Sequence, residues 1–260
     1  MNRQIITIWA IRLALLGGLL AVWEGGAGIL FDPYFVSRPS EIAEQFWGLL
    51  ASGRLFYHAG ITVVEALAGF VCGGLAGTAV GILLGRNELL GRALDPVILI
   101  FYSLPKIALA PLFVIWFGIG IEMKVILTGT IVFFLVFLNT YTGVRGVSRE
   151  LVAIMKLMGA RESDLLTKVV LPSVVTWVFT GLKLSVPYAL IGALVGELIA
   201  ANRGLGYLLS DAAGQFNTSG VFAAILAIII LAVLLNLAVR EFERRMMPWQ
   251  AGQYDREMSI

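Results

Sequence analysis

Long apolar stretches alternate with short polar segments along nearly the whole chain. A helix needs about 20 mainly apolar residues to cross a bilayer, so each stretch of that length predicts a membrane span. The qualifying stretches are 5–30, 60–84, 96–117, 125–144, 173–198 and 221–239. This pattern predicts an all-α integral membrane protein with six transmembrane helices.

The polar segments between these stretches differ in their content of lysine and arginine. Loops rich in these residues remain in the cytoplasm. One alternate set of segments, which includes both termini, contains Arg3, Arg86, Arg92, Arg145, Arg149, Lys156, Arg161, Lys168, Arg240, Arg244, Arg245 and Arg256; the other set contains Arg38, Arg54, Lys124 and Arg203. We therefore expect both termini in the cytoplasm, which agrees with an even number of spans.

Composition leads to the same class of protein. Apolar residues make up 59% of the chain and charged residues 14%, whereas soluble domains carry about a quarter charged residues. Mean hydropathy is +0.90, so membrane lipid is the expected surroundings. A net charge of +2 without a run of basic residues argues against nucleic acid as a partner. The single cysteine, Cys72, and the single histidine, His58, argue against an intrachain disulfide or a metal cluster.

Glycine recurs at every fourth position of the second stretch. The residues are Gly69, Gly73, Gly77, Gly81 and Gly85. A row of small residues lets another helix backbone approach closely within a membrane. The row predicts tight helix packing or a sliding surface between moving parts, and the sequence leaves both open.

A shorter amphipathic segment lies between the first two stretches. Pro39, Ser40 and Glu41 are typical of a helix start, and Gly53 of an end. With about 10–15 residues, this segment is too short to span a bilayer. We expect a scaffolding helix at the outer membrane surface.

The segment 147–173 combines polar residues with one apolar face. Ser148 is placed to cap a helix, with Glu150 in its first turn. The apolar residues at helical spacing are Leu151, Ile154, Met155 and Met158. Gly159 permits a turn before a second, charged helix, and Pro172 marks the start of the next span. The pattern predicts a docking element for a soluble partner or an ordinary solvated loop.

Several motifs resemble those of binding-protein-dependent ABC importer permeases. The cytoplasmic signature of that family reads Glu-Ala-Ala, three residues, Gly, nine residues, Ile-x-Leu-Pro. Gly159 and the run 169–172, VVLP, match it, whereas positions 153–155, AIM, depart from Glu-Ala-Ala. The segments 104–112 (LPKIALAPL), 116–120 (WFGIG), 196–198 (GEL) and 203–207 (RGLGY) are similar to the nitrate/sulfonate/taurine/bicarbonate branch. The resemblance covers about 20–249.

The resemblance implies a particular assembly in the bacterial inner membrane. Two permease subunits, expected to be a homodimer, each dock one of two cytoplasmic ATPase subunits, and an external solute-binding protein delivers the cargo. The segment 147–173 is then the coupling helix loop within a single permease domain, 1–249, followed by a cytoplasmic tail, 250–260. The implied coupling residues are Glu150, Met155, Gly159, Ala160, Arg161, Glu162, Asp164, Leu171 and Pro172.

No motif in the chain predicts an enzyme. The segment 85–88, GRNE, lacks the Gly-Lys-Ser/Thr that a phosphate-binding loop needs. We therefore expect no catalytic, metal or cofactor site here, and expect ATP and Mg²⁺ to be used by the partner ATPase. An ion-coupled carrier is a less favoured alternative, because such carriers often contain inverted repeats, and none is clear here.

Four ionisable residues within or near the spans are candidates for the translocation pathway. A charge at a span centre costs roughly 2.5–3.5 kcal/mol on insertion scales, so each demands a reason. The candidates are Lys106, Lys183, Glu65 and Glu197. The lysines either attract an anionic cargo (sulfonate, taurine, nitrate or bicarbonate) or pair with Glu65. An aromatic carboxylate or a thiamine precursor is the alternative cargo.

Overall fold

The computed structural model describes residues 2–246, and this part of the chain is helical almost throughout. Its helices are α1 (Asn2–Gly26), α2 (Pro33–Val36), α3 (Pro39–Ala51), α4 (Arg54–Arg86), α5 (Glu88–Ser103), α6 (Ala110–Phe117), α7 (Ile121–Arg145), α8 (Arg149–Leu157), α9 (Glu162–Leu165), α10 (Leu171–Ile199), α11 (Leu205–Gly214) and α12 (Thr218–Met246). A 3-10 turn, Lys106–Leu109, precedes α6, and a π turn, Leu166–Val170, joins α9 to α10. The predicted all-α membrane fold is confirmed. The predicted tail 250–260 lies outside the described residues.

The predicted third span is a bent pair of helices. Five helical segments are each long and apolar enough to cross a membrane, and α5 with the segment Lys106–Phe117 makes a sixth that bends by 77°. Pro105 lies at the bend, where its ring and missing N–H prevent a continuous helix. Pro111 lies in the first turn of α6, where proline is tolerated.

The glycine row of α4 packs directly against α7. A methyl group added at Gly73 would lie 2.3 Å from the carbonyl oxygen of Gly129, and one at Gly85 would lie 2.6 Å from Cβ of Val144. The other members of the row, Gly69, Gly77 and Gly81, meet Thr128, Phe133 and Thr140 in the same order. The two helices therefore run parallel and in register, with backbones too close for side chains. Tight packing, one of the two predicted roles, is what the structure contains.

Helix α10 crosses α7 in the opposite direction. Gly192 of α10 faces Thr128, and Gly143 of α7 faces Trp177. Helix α7 thus lies between α4 and α10, and its Val132 is fully buried. These three helices form the packed centre of the described chain.

Helix direction defines two ends of this bundle. The Arg203 end contains the starts of α4 and α7 and the segment 200–203 that leaves α10. The Glu162 end contains the last residues of α4 and α7 together with α8 and α9. The predicted docking segment therefore lies at the same end as Arg86 and Glu88, where α4 ends and α5 begins.

One predicted loop residue lies elsewhere. Lys124 was expected in a segment outside the spans, but it lies in the first turns of α7 and is buried. The apolar stretch begins at residue 125, whereas the helix begins at Ile121. The helix can include Lys124 because the ammonium group of this residue pairs with the Glu65 carboxylate inside the protein. The predicted short helix is confirmed as α3, with Ile42 buried.

Candidate functional site

The predicted coupling segment begins with the expected cap. The hydroxyl of Ser148 accepts a hydrogen bond from the Leu151 N–H at 3.3 Å, which satisfies one of the unpaired donors at the start of α8. Gly159 has φ +80°, a backbone conformation that glycine adopts without steric cost, and it ends α8 in a turn in which the Ala160 N–H donates to the Met155 carbonyl at 3.0 Å. Asp164 then accepts from the Arg161 N–H at 3.1 Å at the start of α9.

Helix α8 presents an apolar face that nothing in the described chain covers. Leu157 is 88% exposed and Met158 77% exposed, and Leu151 and Ile154 are also exposed. The predicted face differs in one member, because Met155 is half-buried and Leu157 takes its place. Of the other predicted coupling residues, Ala160 and Asp164 are half-buried, whereas Glu150, Gly159, Arg161, Glu162, Leu171 and Pro172 are exposed.

An ion pair joins this segment to the end of α4. The guanidinium of Arg86 lies 3.1 Å from the carboxylate of Glu162, and the ammonium of Lys156 lies 3.7 Å from the same carboxylate. Sequence reasoning did not find the partnership of Arg86 and Glu162, which lie 76 residues apart. Together these residues border a cleft of about 450 Å³ at the Glu162 end.

Lys106 lies at the bend of the third span. Its ammonium donates to the carbonyl of Tyr102 at 2.6 Å and to that of Leu104 at 3.3 Å, and it lies 4.6 Å above the ring of Phe134. These carbonyls lose their helical donors where the helix breaks. Lys106 therefore caps the break.

Lys183 lies on α10 rather than at the bend of the third span. It is exposed on α10 and borders a shallow cleft with Asn236 and Arg240 of α12. The structure does not bring Lys106 and Lys183 together.

Glu65 pairs with Lys124, and the suggested pairing with Lys106 or Lys183 is wrong. The Lys124 ammonium lies 2.6 Å from Oε1 of Glu65 in a buried ion pair between α4 and α7. Sequence reasoning missed this partner because Lys124 was assigned to a loop. The spacing of His58, Thr62 and Glu65, at i, i+4 and i+7 along an apolar span, was the signal for a buried polar face.

Glu197, the fourth candidate, lies in the same cluster. Its two carboxylate oxygens accept from the Thr62 hydroxyl at 2.7 Å and from the Gly206 N–H at 2.6 Å. The Thr62 oxygen also accepts from the Leu205 N–H at 2.9 Å, and Nδ1 of His58 accepts from the Gly204 N–H at 3.0 Å. Three successive N–H groups at the start of α11 are thus capped by side chains from α4 and α10. We call His58, Thr62 and Glu197 the trans cap.

The trans cap explains two glycines of the RGLGY segment. Gly204 has φ +114°, and a methyl group there would lie 2.2 Å from the Glu197 carboxyl. A methyl group at Gly206 would lie 2.7 Å from Cβ of Glu197. Both positions therefore require glycine for the Glu197 side chain to reach the helix start.

A cleft of about 500 Å³ opens beside this cluster at the Arg203 end. Its polar lining includes Lys124, Glu65, Asn202 and Arg203, and Tyr57 borders it. The trans cap holds the segment that carries Asn202 and Arg203 against α4. The polar cluster therefore fixes one wall of the cleft.

Comparison with known families decides what kind of protein this is. Residues 75–248 match the family described as binding-protein-dependent transport system inner membrane component. The chain belongs to this family. It is thus a transporter permease component of the inner membrane rather than an enzyme, as the motifs predicted.

Curated relatives cover nearly the whole permease. It is 34% identical to the formylaminopyrimidine transport permease protein ThiX of Halalkalibacterium halodurans over 90% of this chain and 94% of that protein. It is 32% identical to the putative aliphatic sulfonates transport permease protein SsuC of Bacillus subtilis, over 93% and 88%. It is 30% identical to the taurine transport system permease protein TauC of Escherichia coli, over 96% and 91%. The predicted sulfonate/taurine branch is confirmed.

A solved structure has the same fold. A chain of the MetNI methionine ABC transporter, in an inward-facing conformation, superposes with a TM-score of 0.62 at 20% identity, covering 71% of this permease and 92% of that chain. This likeness concerns the fold.

Proposed function

We propose that this permease pairs with a second copy to form the pathway through which an ATP-driven importer carries a small anionic solute. The Glu162 end faces the cytoplasm and docks a separate ATPase on each copy, which uses ATP and Mg²⁺. An external solute-binding protein delivers cargo to the Arg203 end. The observation that carries the docking proposal is the uncovered apolar face of α8.

That face suits a protein groove better than water. Burying apolar surface is favourable by about 25 cal/mol per Å², so exposed side chains such as Leu157 and Met158 favour a partner. The helix also carries charge at its end, since Lys156 pairs with Glu162. An amphipathic helix that inserts its apolar face into a groove is a recurrent docking mode.

The proposal also accounts for how movement reaches the spans. Glu162 joins the docking segment to Arg86 at the end of α4, and the π turn continues directly into α10. A displacement of α8 by the ATPase therefore acts on two of the three central helices. ATP binding shifts the pathway between two states only if the ATPase binds those states unequally.

Replacing Leu157 tests docking. Leu157→Asp places a charge in the proposed contact and should abolish copurification of the ATPase, while the permease still inserts and folds. Ile29→Asp is the matched control, because Ile29 is similarly exposed but follows the end of α1. That end is hydrogen-bonded to α3 through Glu24 and Ser40, and α3 leads into the start of α4 at the Arg203 end. Equal ATPase recovery with both variants would contradict docking through α8.

A second test uses a pair of glycines. Gly159 and Gly53 have φ of +80° and +74°, and a methyl group at either meets nothing within 4 Å. Alanine therefore introduces the same backbone strain at both ends. Gly159→Ala should impair ATP-driven uptake more than Gly53→Ala at equal expression. Solute accumulation by vesicles that hold the permease without any ATPase would overturn the proposal and favour an ion-coupled carrier.

Cargo is proposed from the relatives. The permeases named for aliphatic sulfonates and taurine favour a sulfonate, with nitrate and bicarbonate as related anions. The relative named for formylaminopyrimidine favours a second candidate, a heterocycle such as a thiamine precursor. An aromatic carboxylate is a further alternative. Ligand binding by the cognate solute-binding protein, followed by uptake competition, distinguishes these classes.

A further inference from the structure

Two segments that the sequence singled out as motifs meet across the cleft at the Arg203 end. One wall is the segment 200–203, which ends in the first residue of RGLGY, and another wall contains Ile119 and Gly120 of WFGIG. The cleft volume of about 500 Å³ lies within the range of small-molecule sites. Neither the docking face of α8 nor the bend of the third span explains why these segments meet.

Both ends of the segment 200–203 are fixed by the rest of the protein. At one end, Ala200 is buried in an apolar cluster, and its N–H is bonded to a carbonyl of the last turn of α10 at 3.0 Å. At the other end, the trans cap accepts from the N–H groups of residues 204–206. Asn202 and Arg203 lie between these anchors with exposed side chains. The protein therefore holds their backbone in place at the edge of the cleft.

The cleft lining has one positive charge that no other lining residue compensates. Lys124 is bound to Glu65 at 2.6 Å, so these two charges cancel. Among residues 2–246, no hydrogen bond or ion pair engages the side chain of Arg203 or that of Asn202. The guanidinium of Arg203 thus offers the cleft a charge and a planar fork of N–H donors.

Two further charged residues lie close in the chain to lining residues without lining the cleft themselves. Arg54 is exposed in the first turn of α4. Glu122 is exposed in the first turn of α7, and its carboxyl lies against Gly120. Arg54 attracts an anion and Glu122 repels it, so their effects oppose each other. Arg203 therefore decides the sign of the charge that the cleft favours.

We propose that the cleft binds a small organic oxyanion such as a sulfonate, with the Arg203 guanidinium and the Asn202 amide as its donors. A guanidinium binds oxyanions through two parallel N–H···O bonds. Apolar lining residues such as Ile61, Val64 and Ile121 contact the organic part of the solute. Because the backbone of the donors is already held, binding orders little of the protein. The inference rests on the proposed function, since it assigns the place where an anionic cargo first binds the permease.

Ligand binding to the full-length permease in lipid nanodiscs tests this site without an ATPase or a solute-binding protein. The probe is ethanesulfonate, exchanged for chloride at constant ionic strength, and dimethyl sulfone is the neutral control. The readout is the rise in unfolding temperature that a ligand of the folded state causes. The variants are Arg203→Gln, Arg203→Lys and Asn202→Ala, with Arg54→Gln as the matched loss of an exposed arginine.

Wild type should show a saturable rise in unfolding temperature with ethanesulfonate and none with dimethyl sulfone. Arg203→Gln should weaken binding about tenfold or more, because it removes a charged hydrogen-bond donor. Arg203→Lys should bind with intermediate affinity, since it keeps the charge without the planar fork. Asn202→Ala should weaken binding less than Arg203→Gln does, and Arg54→Gln should bind nearly as wild type does.

Three outcomes would overturn the proposal. The first is that ethanesulfonate causes no saturable rise in wild type, and the second is that dimethyl sulfone causes an equal one. The third is that Arg203→Gln and Arg54→Gln weaken binding equally, which would indicate a general attraction of anions to this end. If Arg203→Gln does not fold, Arg203→Lys takes its place, and binding as tight as that of wild type would overturn the proposal.

These outcomes are separate from those that test the proposed function. A permease that binds no ethanesulfonate but supports ATP-driven uptake loses only this site. A permease that binds ethanesulfonate through Arg203 but accumulates solute without any ATPase keeps the site and loses the proposed function.

Discussion

The hydroxyl of Thr62 lies 2.7 Å from a carboxylate oxygen of Glu197, although 135 residues separate them in the chain. The same hydroxyl accepts from the Leu205 N–H. One small side chain of α4 thereby joins α10 and α11. Since it is fully buried, water cannot take over either bond.

Replacing this hydroxyl should weaken the Arg203 end. Thr62→Val keeps the shape but leaves the Leu205 N–H and a Glu197 oxygen short of a partner, which costs about 1–3 kcal/mol per buried group. Thermal unfolding in detergent should show the loss, and Thr62→Ser should restore most of it. Thr180→Val is the control, since Thr180 is exposed and, among the described residues, its hydroxyl bonds to the Thr176 carbonyl of the same helix. Equal unfolding temperatures for Thr62→Val and Thr180→Val would contradict the trans cap.

The glycine row provides a prediction about packing. Gly73→Ala would place a methyl group 2.3 Å from a backbone oxygen of α7, which cannot move like a side chain. Overpacking of this kind typically costs about 1–3 kcal/mol, and the helices must separate to relieve it. Gly60→Ala, on the same helix with nothing within 4 Å, should be neutral or stabilising. Unfolding of the purified permease checks both, and a neutral Gly73→Ala would show that α4 can slide along α7.

Local patterns predicted the features that depend on nearby residues. The cap at Ser148, the turn at Gly159 and the glycine row each depend on a few neighbouring positions, and the structure contains all three. The six apolar stretches also predicted the spans, because length and hydropathy decide whether a helix crosses a bilayer.

Partners distant in the chain could not be predicted in this way. Lys124 and Glu65 are 59 residues apart, and only the in-register packing of α4 on α7 brings them together. The bend at Pro105 depends in addition on a cap for the freed carbonyls, here Lys106. A single sequence states which residues are polar within a span, and the packing decides which of them meet.

The buried ion pair should behave differently from exposed ones. Lys124→Met leaves a buried carboxylate without its partner, which costs about 3–5 kcal/mol. The double variant Lys124→Met with Glu65→Met removes the unpaired charge and should recover much of that loss. Arg92→Met, which breaks an exposed pair with Glu88, should change unfolding little. If Lys124→Met unfolds like Arg92→Met, the pair is not buried in the folded membrane protein.

Lys106 and Lys183 were candidates either to attract an anionic cargo or to pair with Glu65, and the structure distinguishes how each should respond to replacement. Lys106→Met removes a charged donor from two carbonyls at the bend of the third span, so it should lower the stability of the permease by roughly 1–3 kcal/mol. Lys183 is exposed on α10, so Lys183→Met should change stability less than Lys106→Met does. Unfolding temperature and ATP-driven uptake, measured on the same preparations, separate the two effects.

A role in cargo attraction requires that Lys183→Met lower uptake while the protein remains fully folded, and that Lys183→Arg restore it. Unchanged uptake at full expression would remove Lys183 from the pathway, and unchanged unfolding of Lys106→Met would show that the bend does not need its cap.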